Sequence, residues 1–358
     1  MNHKSLRVAI DISPLQTGHK VRGVGFYLEH LKYSLVNYFP QNEYIFFNTG
    51  DKLPNKVDLI HFPYFEPFFL ALPLYKKYKT IVTVHDLTPI VFPDLFPRGF
   101  KGQLKWQMQR FSLRQANAII TDSKNSKADI LKYIGAKENK VNVVNLAAGE
   151  EFKRLTTEDL RSKSIKLRTK YKLPEKFVLY VGDVTPNKNL PRLIDAIKFV
   201  SIPLVMVGKA LTSEFDKTNP WNKDLVRIHQ QIEELKAENL NLITALGFVE
   251  QDDLVSIYNM ATASVVPSFY EGFGLPVLEA QACGTPVITT KEGSLPEVSG
   301  DSAYYVDAFN YESIANGIKN VFEDEKLQEE LREKGFENTR RFSWKKTALE
   351  TLKVYESI

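Results

Sequence analysis

Short runs of β-branched and aromatic residues alternate with segments of helical periodicity along the whole chain, and this alternation limits the fold more than any other feature. Six runs in the first half predict strands at 6–11, 44–48, 57–61, 80–85, 118–122 and 141–145. Six more in the second half predict strands at 177–181, 203–207, 242–246, 263–267, 286–290 and 303–306. Because strands separated by helices form parallel sheets, we expect an α/β protein with two Rossmann-like, doubly wound parallel sheets.

The length of 358 residues favours two domains, at roughly 100–200 residues for each domain. The stretch 148–156 has neither strand nor helix periodicity and separates the two sets of strands. We therefore predict a first domain of residues 1–152 and a second of residues 153–342. Ser343 is a typical helix N-cap residue and predicts a last helix over 343–358.

Composition excludes several classes of protein. The single cysteine, Cys283, excludes a disulfide framework and a CxxC redox or metal site. The first residues lack the apolar core of a secretory signal, and the longest nearly apolar run, 62–75, is broken by Glu66 and three prolines. We therefore expect a cytoplasmic protein.

The charge of the chain is uneven. Residues 1–152 carry 20 Lys and Arg against 13 Asp and Glu, whereas residues 153–358 carry 27 against 30. A basic first half favours anionic partners such as nucleic acid, acidic lipid headgroups or phosphorylated substrates, and the alternative is an unevenly charged solvated surface. The difference is too small to predict nucleic-acid binding, and we expect none.

The segment 268–279 is the most informative part of the chain. It joins a buried strand to a helix, with Glu271 in the connecting loop and Glu279 about one turn inside the helix. Gly272 and Gly274 free the backbone, so that N–H groups at the helix N-terminus can face a phosphate. A carboxylate on each side of that phosphate suits the hydroxyl groups of a nucleotide sugar.

Glu271 and Glu279, eight positions apart around Gly-Phe-Gly-Leu-Pro, resemble the Glu-x7-Glu motif of the retaining glycosyltransferases of family four (group 1). The resemblance implies the GT-B fold, in which two domains face each other across a cleft and the last helix returns to the first domain. It also implies that Glu271 contacts the transferred sugar and Glu279 the ribose. The donor diphosphate would then bind the backbone between them, at Gly272, Phe273, Gly274 and Leu275.

Two further segments of the second domain resemble this family. The segment 180–190 is similar to its phosphate-binding turn, and the resemblance assigns Lys188 to the donor diphosphate. Many members carry an arginine where this chain has Asp183 or Asn187, so one guanidinium contact is missing or comes from elsewhere. The segment 247–251 is similar to the part that recognises the nucleotide base, which assigns Val249 to the base.

The first domain carries a glycine pair after its first strand. Arg22-Gly-Val-Gly-Phe-Tyr27 is not a dinucleotide fingerprint, because Leu28 occupies the place of the third glycine. It resembles the family's glycine loop, which implies that the backbone at Gly23 and Gly25 approaches the donor phosphates. The alternative is a simple turn before a helix.

Two histidines follow strands of the first domain. The resemblance places His85 beside the transferred sugar and the acceptor, where an imidazole can bind a hydroxyl or relay a proton. For His61 we favour a structural or acceptor-side role. The segment Thr121-Asp-Ser-Lys-Asn-Ser126 predicts a hydroxyl-rich helix cap, whose family counterpart lies near the acceptor.

The family's favoured mechanism is front-face attack, in which the leaving diphosphate takes the acceptor proton. We therefore expect no catalytic metal and no cofactor. The Arg22–Tyr27 and His85-Asp-Leu87 patterns resemble bacterial polysaccharide mannosyltransferases most. This favours GDP-mannose as donor, with UDP-glucose and UDP-N-acetylglucosamine as alternatives, and a glycan or lipid-linked acceptor in cell-surface polysaccharide synthesis.

The acceptor side contains an amphipathic segment, 97–111, with an apolar stripe flanked by basic residues (Phe100, Leu104, Met108 and Phe111, beside Lys101, Lys105 and Arg110). Residues 62–75 add six aromatic side chains. One interpretation is peripheral contact with an anionic membrane, at the inner face of the plasma membrane. The other is an ordinary surface helix packed on the sheet.

Two other functions compete with glycosyl transfer. A catalytically silent nucleotide-sugar-binding partner of an active enzyme would keep the same fold, but Glu271, Glu279, Lys188 and His85 are all retained. A nicotinamide-dependent oxidoreductase is suggested by the Rossmann-like sheets alone. The missing third glycine after the first strand counts against it.

Overall fold

The structure is a computed structural model and describes residues 5–21, 23–53 and 56–358. All twelve predicted strands are present within these residues, each within two positions of its predicted range. They are β1 (Arg7–Asp11), β2 (Glu43–Phe47), β3 (Leu59–Phe62), β4 (Lys79–Thr83), β5 (Ala118–Thr121), β6 (Val141–Val143), β7 (Val178–Val181), β8 (Leu204–Val207), β9 (Ile243–Leu246), β10 (Ala263–Val266), β11 (Val287–Thr290) and β12 (Tyr304–Val306).

Helices connect these strands, as expected for βαβ units. They are α1 (Gly23–Tyr38), α2 (Thr88–Val91), α3 (Gly99–Arg114), α4 (Lys124–Asp129), α5 (Thr157–Tyr171), α6 (Leu190–Val200), α7 (Lys223–Ala237), α8 (Gln251–Met260), α9 (Leu275–Ala282), α10 (Leu295–Ser299), α11 (Tyr311–Glu323), α12 (Glu325–Thr339) and α13 (Trp344–Glu356). Across the described residues, none of them combines the length and the apolar character that crossing a bilayer requires.

The chain divides into two compact units. The first contains the residues up to Ala147 together with Phe342–Ile358, and the second contains Ala148–Arg341. The division falls before the predicted boundary at 152–153, because Phe152 packs its ring on Tyr258 of the second unit, 5.9 Å between centroids.

The first unit contains a six-stranded parallel sheet in the order β2-β1-β3-β4-β5-β6. The strand order changes direction beside β1, and open α/β sheets bind their ligands at the carboxyl edge near such a point. Helix α4 begins where predicted, since Ser123 accepts a hydrogen bond from the Ser126 amide at 3.0 Å. Buried apolar side chains from β4, α3 and β5, among them Val82, Trp106 and Ile119, form part of the core.

The second unit contains a six-stranded parallel sheet in the order β12-β11-β10-β7-β8-β9. This is the order of a dinucleotide-binding Rossmann sheet, with its topological switch point between β7 and β10. Because β7 and β10 are neighbours, the loops that follow them run side by side. The apolar face of α6 is buried in the core of this unit (Leu190, Leu193, Ile194 and Ile197).

The last helix, α13, is held in the first unit by polar contacts. Its N-cap is Ser343, as predicted, and Thr347 donates a hydrogen bond to the Asn145 carbonyl at 2.7 Å. Near its end, the Tyr355 hydroxyl lies 2.7 Å from His61 Nδ1, and His61 Nε2 lies 2.8 Å from the Thr83 hydroxyl.

His61 is therefore a structural residue. It is fully buried, and both of its ring nitrogens have partners within the first unit. Burial lowers the pKa of His61 to about 3, with a smaller contribution from His85, so the ring stays neutral at physiological pH.

Candidate functional site

The loop after β7 turns sharply before helix α6. Pro186–Lys188 form one 3-10 turn, and Asn189 takes the left-handed conformation with φ of 60°, which asparagine tolerates better than most residues. The Asn189 side chain donates hydrogen bonds to the carbonyls of Pro267 at 3.0 Å and Ala308 at 2.7 Å. This side chain makes no capping hydrogen bond to α6 but ties the loop to those after β10 and β12.

Asn187 joins the β7 loop to the β10 loop. Its side-chain amide donates to the Tyr270 carbonyl at 2.9 Å, and its own carbonyl accepts from the Phe269 amide at 3.0 Å. Asn187 occupies one of the places where many family members carry an arginine. In this chain the residue is buried and holds the two loops together.

Lys188 and Glu271 form an ion pair at the switch point. Lys188 Nζ donates to both carboxylate oxygens of Glu271, at 2.7 and 2.8 Å, and the two side chains are only 19% and 10% exposed. The Ser268 hydroxyl donates a third hydrogen bond to the same carboxylate at 2.6 Å. Lys188 and Glu271 belong to two separate sequence motifs, and the structure brings them together.

The backbone of Glu271 is held from the segment before α10. Gly293 has a φ of 60°, and a Cβ there would lie 2.8 Å from both the amide nitrogen and the carbonyl oxygen of Glu271. The Ser294 hydroxyl lies 2.9 Å from the Glu271 carbonyl and 2.7 Å from that of Phe273. Neither Ser294 nor Ser268 is predictable from sequence, since single serines in loops carry no distinguishing pattern.

The glycine-rich part of the loop leads directly into α9. Gly274 has a φ of 106°, a left-handed conformation that favours glycine, and Leu275 begins the helix. Phe273 is buried, so its side chain is turned away from solvent. The first N–H groups of a helix have no acceptor within it and favour an anion. A phosphate here would be bound by backbone N–H groups, as the sequence analysis predicts.

Glu279 lies in the middle of α9 and is partly buried. Its carboxylate accepts a hydrogen bond from the Tyr258 hydroxyl at 2.9 Å. Burial raises the pKa of Glu279 to about 7, and the charge of Glu151 adds to the rise while the Tyr258 hydrogen bond opposes it. This carboxyl therefore ionises at a clearly higher pH than an exposed glutamate.

The loop after β9, Gly247–Glu250, carries the predicted base contact. Val249 is buried, so contact with a base would come from its backbone, whereas the neighbouring Phe248 is exposed.

In the first unit, His85 pairs with Asp122. His85 Nδ1 lies 2.7 Å from Asp122 Oδ2, and the His85 ring meets the Tyr27 ring edge to face at 4.7 Å between centroids. Burial lowers the pKa of His85, but the charge and hydrogen bond of Asp122 raise it more, with smaller contributions from Asp86 and the Pro63 carbonyl. The resulting pKa is above the ordinary histidine value.

Asp122 was not assigned a role from sequence. Its partner His85 follows β4 and Asp122 follows β5, and these two parallel strands are neighbours. Polar residues after adjacent parallel strands meet at the same sheet edge. Applied to β4 and β5, that rule predicts that His85 and Asp122 lie close together.

The predicted glycine loop lies at the start of α1. The helix begins at Gly23, which is exposed and has no atom within 4 Å of where a Cβ would stand, and Gly25 is buried in the first turn. Arg22 lies outside the described residues. The contact of Gly23 and Gly25 with donor phosphates stays a prediction.

Over residues 5–21, 23–53 and 56–358, no group of three or more His, Cys, Asp or Glu side chains is arranged to hold a metal ion.

Two family models match the chain. The model described as Glycosyltransferase Family 4 matches residues 14–147, and the model described as Glycosyl transferases group 1 matches residues 163–338. Together they take in most of both units.

The chain is also similar to proteins that are named as mannosyltransferases. O-antigen chain mannosyltransferase B of Escherichia coli is 28% identical over 279 residues, covering 78% of this chain and 70% of that protein. Serotype-specific mannosyltransferase WbdA of Escherichia coli is 29% identical over 272 residues, covering 76% of this chain. The match takes in only 32% of WbdA, so the chain spans about a third of that relative.

Solved structures share the fold over nearly the whole chain. Sucrose-phosphate synthase from Thermosynechococcus elongatus matches with a TM-score of 0.76 at 20% identity, covering 98% of each chain. Anabaena HepE in complex with UDP-glucose matches with a TM-score of 0.74 at 18% identity, covering 99% of this chain and 100% of that one.

The two α/β units, each built on a parallel six-stranded sheet, define a glycosyltransferase of the GT-B fold class, which confirms the predicted fold class. The chain belongs to the group 1 glycosyltransferases, within glycosyltransferase family 4.

Proposed function

We propose that this glycosyltransferase is a retaining hexosyltransferase that moves mannose from GDP-mannose to a glycan or lipid-linked acceptor in cell-surface polysaccharide synthesis. The observation that carries the proposal is the Lys188–Glu271 ion pair, which lies where nucleotide ligands bind in sheets of this order. The Escherichia coli relatives named as mannosyltransferases support the choice of sugar. UDP-glucose and UDP-N-acetylglucosamine are the alternative donors, and the HepE complex with UDP-glucose supports the first of these.

The donor diphosphate is proposed to lie between Lys188 and the first turn of α9. In the free protein Glu271 neutralises Lys188. An arriving phosphate competes for the ammonium group, and a carboxylate oxygen of Glu271 then becomes available to a sugar hydroxyl. The ion pair thus keeps both groups ordered before the donor binds, which lowers the entropy cost of assembling the site.

The proposed chemistry follows from where charge develops. The bond between C1 of the sugar and the phosphate oxygen breaks while the acceptor hydroxyl oxygen bonds to the same face of C1. The acceptor proton passes to the departing phosphate oxygen. Lys188 and the backbone N–H groups around Gly274 stabilise the leaving diphosphate, so they, rather than a metal ion, supply the positive charge in this mechanism.

Three other residues complete the proposal. Glu279 would accept hydrogen bonds from the ribose hydroxyls, most strongly in its ionised form. The backbone at Val249 would contact the base. His85, held at Nδ1 by Asp122, would bind a hydroxyl of the sugar or acceptor through its other ring nitrogen, Nε2.

A thermal-shift series tests the donor. The protein is heated alone and with GDP, UDP, GDP-mannose, UDP-glucose and UDP-N-acetylglucosamine, using the wild type and Glu279→Ala. Ligand at a hundred times its Kd stabilises the folded state by about 2.7 kcal/mol, which raises Tm by several degrees. We expect GDP and GDP-mannose to stabilise the wild type most, and Glu279→Ala to lose the effect.

Glu175→Ala is the matched control, because Glu175 is an exposed glutamate of the same unit. If only UDP and UDP sugars raised Tm, the donor would be a UDP sugar and not GDP-mannose. If the nucleotides raised the Tm of Glu279→Ala as much as that of the wild type, the nucleotide site would lie elsewhere. Transfer is measured separately, as GDP release that depends on an acceptor. A donor that binds but is never transferred would favour the catalytically silent alternative.

A further inference from the structure

Helix α3 presents apolar side chains on both of its faces. Trp106, Gln109 and Leu113 are buried against the first unit. Phe100, Leu104 and Phe111 are exposed, Phe100 at 87%. At about 100° per residue these three lie within about 40° of one another, opposite the buried face. Helix α3 therefore packs on the first unit as an ordinary surface helix would, but the stripe of Phe100, Leu104 and Phe111 faces solvent.

A neighbouring loop presents a second set of exposed apolar side chains. Phe69, Leu70 and Tyr75 point to solvent, Tyr75 at 83% exposure. The Lys105 ammonium lies 5.4 Å from the centroid of the Phe69 ring, so the loop and helix α3 share one surface. We call Phe69, Leu70, Tyr75, Phe100, Leu104 and Phe111 the aromatic patch.

The loop is fixed to α3 by hydrogen bonds. Gln109 is fully buried, and its side-chain oxygen accepts from the amides of Ala71 at 3.1 Å and Leu72 at 3.0 Å. The Ser112 hydroxyl donates to the Pro73 carbonyl at 2.7 Å. The loop therefore cannot bury its apolar side chains without breaking these bonds, and the patch is an ordered part of the surface.

The surroundings of the patch are strongly basic. Residues 67–79 and 98–114 contain eight Lys and Arg and no Asp or Glu. Contiguous apolar surface on a folded protein marks an interaction site. Aromatic and aliphatic side chains beside lysines and arginines have the composition of segments that lie in the interface of an anionic bilayer.

We propose that the aromatic patch binds the surface of an anionic lipid bilayer. The apolar side chains enter the boundary between headgroups and acyl chains, and the flanking cations contact lipid phosphates. Attachment is peripheral and uses the first unit. The proposal does not depend on which donor or acceptor the enzyme uses, because its evidence lies outside the Lys188–Glu271 site.

Vesicle sedimentation tests it with the full chain. The protein is mixed with vesicles of phosphatidylcholine alone, or of phosphatidylcholine with phosphatidylglycerol, and the bound fraction is measured over a range of lipid concentrations. We expect at least ~10-fold tighter binding to the anionic vesicles. The combined variant Phe100→Ser, Leu104→Ser, Phe111→Ser should lose ~10-fold or more in affinity, as should Lys101→Glu with Lys105→Glu.

Matched controls change equally exposed residues elsewhere. Tyr33→Ser with Ile165→Ser removes two exposed apolar side chains outside the patch, and Lys163→Glu with Lys166→Glu reverses two exposed charges on α5. Both should bind like the wild type. Unchanged melting temperatures would show that all variants fold.

Several outcomes would overturn the proposal. They are absence of binding to either vesicle, equal binding to neutral and anionic vesicles, and wild-type binding by the patch variant. If sedimentation velocity instead showed wild-type dimers that the patch variant does not form, the patch would be an interface between copies of this chain and the lipid proposal would be wrong.

Discussion

The ammonium group of Lys188 contacts both carboxylate oxygens of Glu271, although 83 positions separate the two residues in the chain. Burying two charges is unfavourable unless they are paired and further hydrogen-bonded. Here the pair is largely shielded from water, and the Ser268 hydroxyl adds a hydrogen bond to the carboxylate. The ion pair therefore stabilises the order of the two loops at the switch point more than an exposed pair would.

A double-mutant cycle tests this stabilisation. Lys188→Met and Glu271→Gln should each lower the free energy of unfolding by about 1–3 kcal/mol, because each leaves a shielded polar partner. The double variant should cost at least about 1 kcal/mol less than the sum of the two. Urea unfolding measures all three.

The exposed pair Lys198–Glu238 is the control for that cycle. Its atoms are also 2.7 Å apart, but its side chains are 47% and 49% exposed. The coupling in Lys198→Met with Glu238→Gln should stay below about 1 kcal/mol. Equal coupling in the two pairs would show that shielding at the switch point adds nothing.

Replacing Gly293 should lower stability by more than the strain of its left-handed φ alone would cause. Gly293→Ala adds a methyl group that collides with the backbone of Glu271. We expect a loss of about 2 kcal/mol or more in unfolding free energy and at least ~10-fold lower transfer activity, since Glu271 must move.

Gly50→Ala is the matched control for Gly293. Gly50 also has a left-handed φ, of 98°, but a Cβ there would meet no atom within 4 Å. This variant should lose only about 1 kcal/mol from strain and keep full activity. If both variants lost the same activity, the collision between the added methyl group and the Glu271 backbone would not be the cause of the loss.

Glu279 should make stability depend on pH. Its pKa rises from 4.5 to about 7 on folding, so between these values the folded chain binds more protons than the unfolded chain. The free energy of unfolding should therefore fall as the pH rises from about 4.5 to 7, by up to about 3 kcal/mol from this group. Glu279→Gln should remove that fall.

Urea unfolding of wild type and Glu279→Gln between about pH 4.5 and 8 measures the difference. Glu175→Gln, at an exposed position, should follow the wild-type profile. Tyr258→Phe removes the hydrogen bond that stabilises the carboxylate, so it should raise the pKa of Glu279 further. Parallel profiles for wild type and Glu279→Gln would contradict the shifted pKa.

His85 should titrate above the ordinary histidine value because of Asp122. Asp122→Asn removes the charge while keeping a similar shape, so the pKa of His85 should fall. Ring-proton NMR shifts recorded as a function of pH measure it. His61 provides an internal control, since its pKa of about 3 keeps its signals constant above about pH 5 in both proteins. An unchanged His85 pKa in the variant would mean that Asp122 does not set it.

Local sequence signals are sufficient for the strands and for the loops that carry the candidate site. β-branched runs, glycines and cap residues act over a few positions, so the twelve strands and the starts of α4, α9 and α13 are readable from the chain. The eight-residue spacing of Glu271 and Glu279 and the lysine at 188 likewise follow from local patterns and the resemblance they support.

Pairing between distant residues is not readable in this way. Whether Lys188 meets Glu271 depends on β7 and β10 being neighbours, and sheet order results from the packing of the whole unit. The same holds for His85 with Asp122, and for Asn189, whose side chain binds carbonyls of two other loops instead of capping its own helix.

Helix α3 shows most clearly what local sequence predicts and what it does not. Periodicity reveals the stripe of Phe100, Leu104 and Phe111, but it does not predict whether the stripe is buried or exposed. Burial of Trp106 and Leu113, and the hydrogen bonds of Gln109 to the neighbouring loop, orient the helix so that the stripe faces solvent. That orientation is a property of the packed unit, because it depends on contacts between segments that are far apart in the chain.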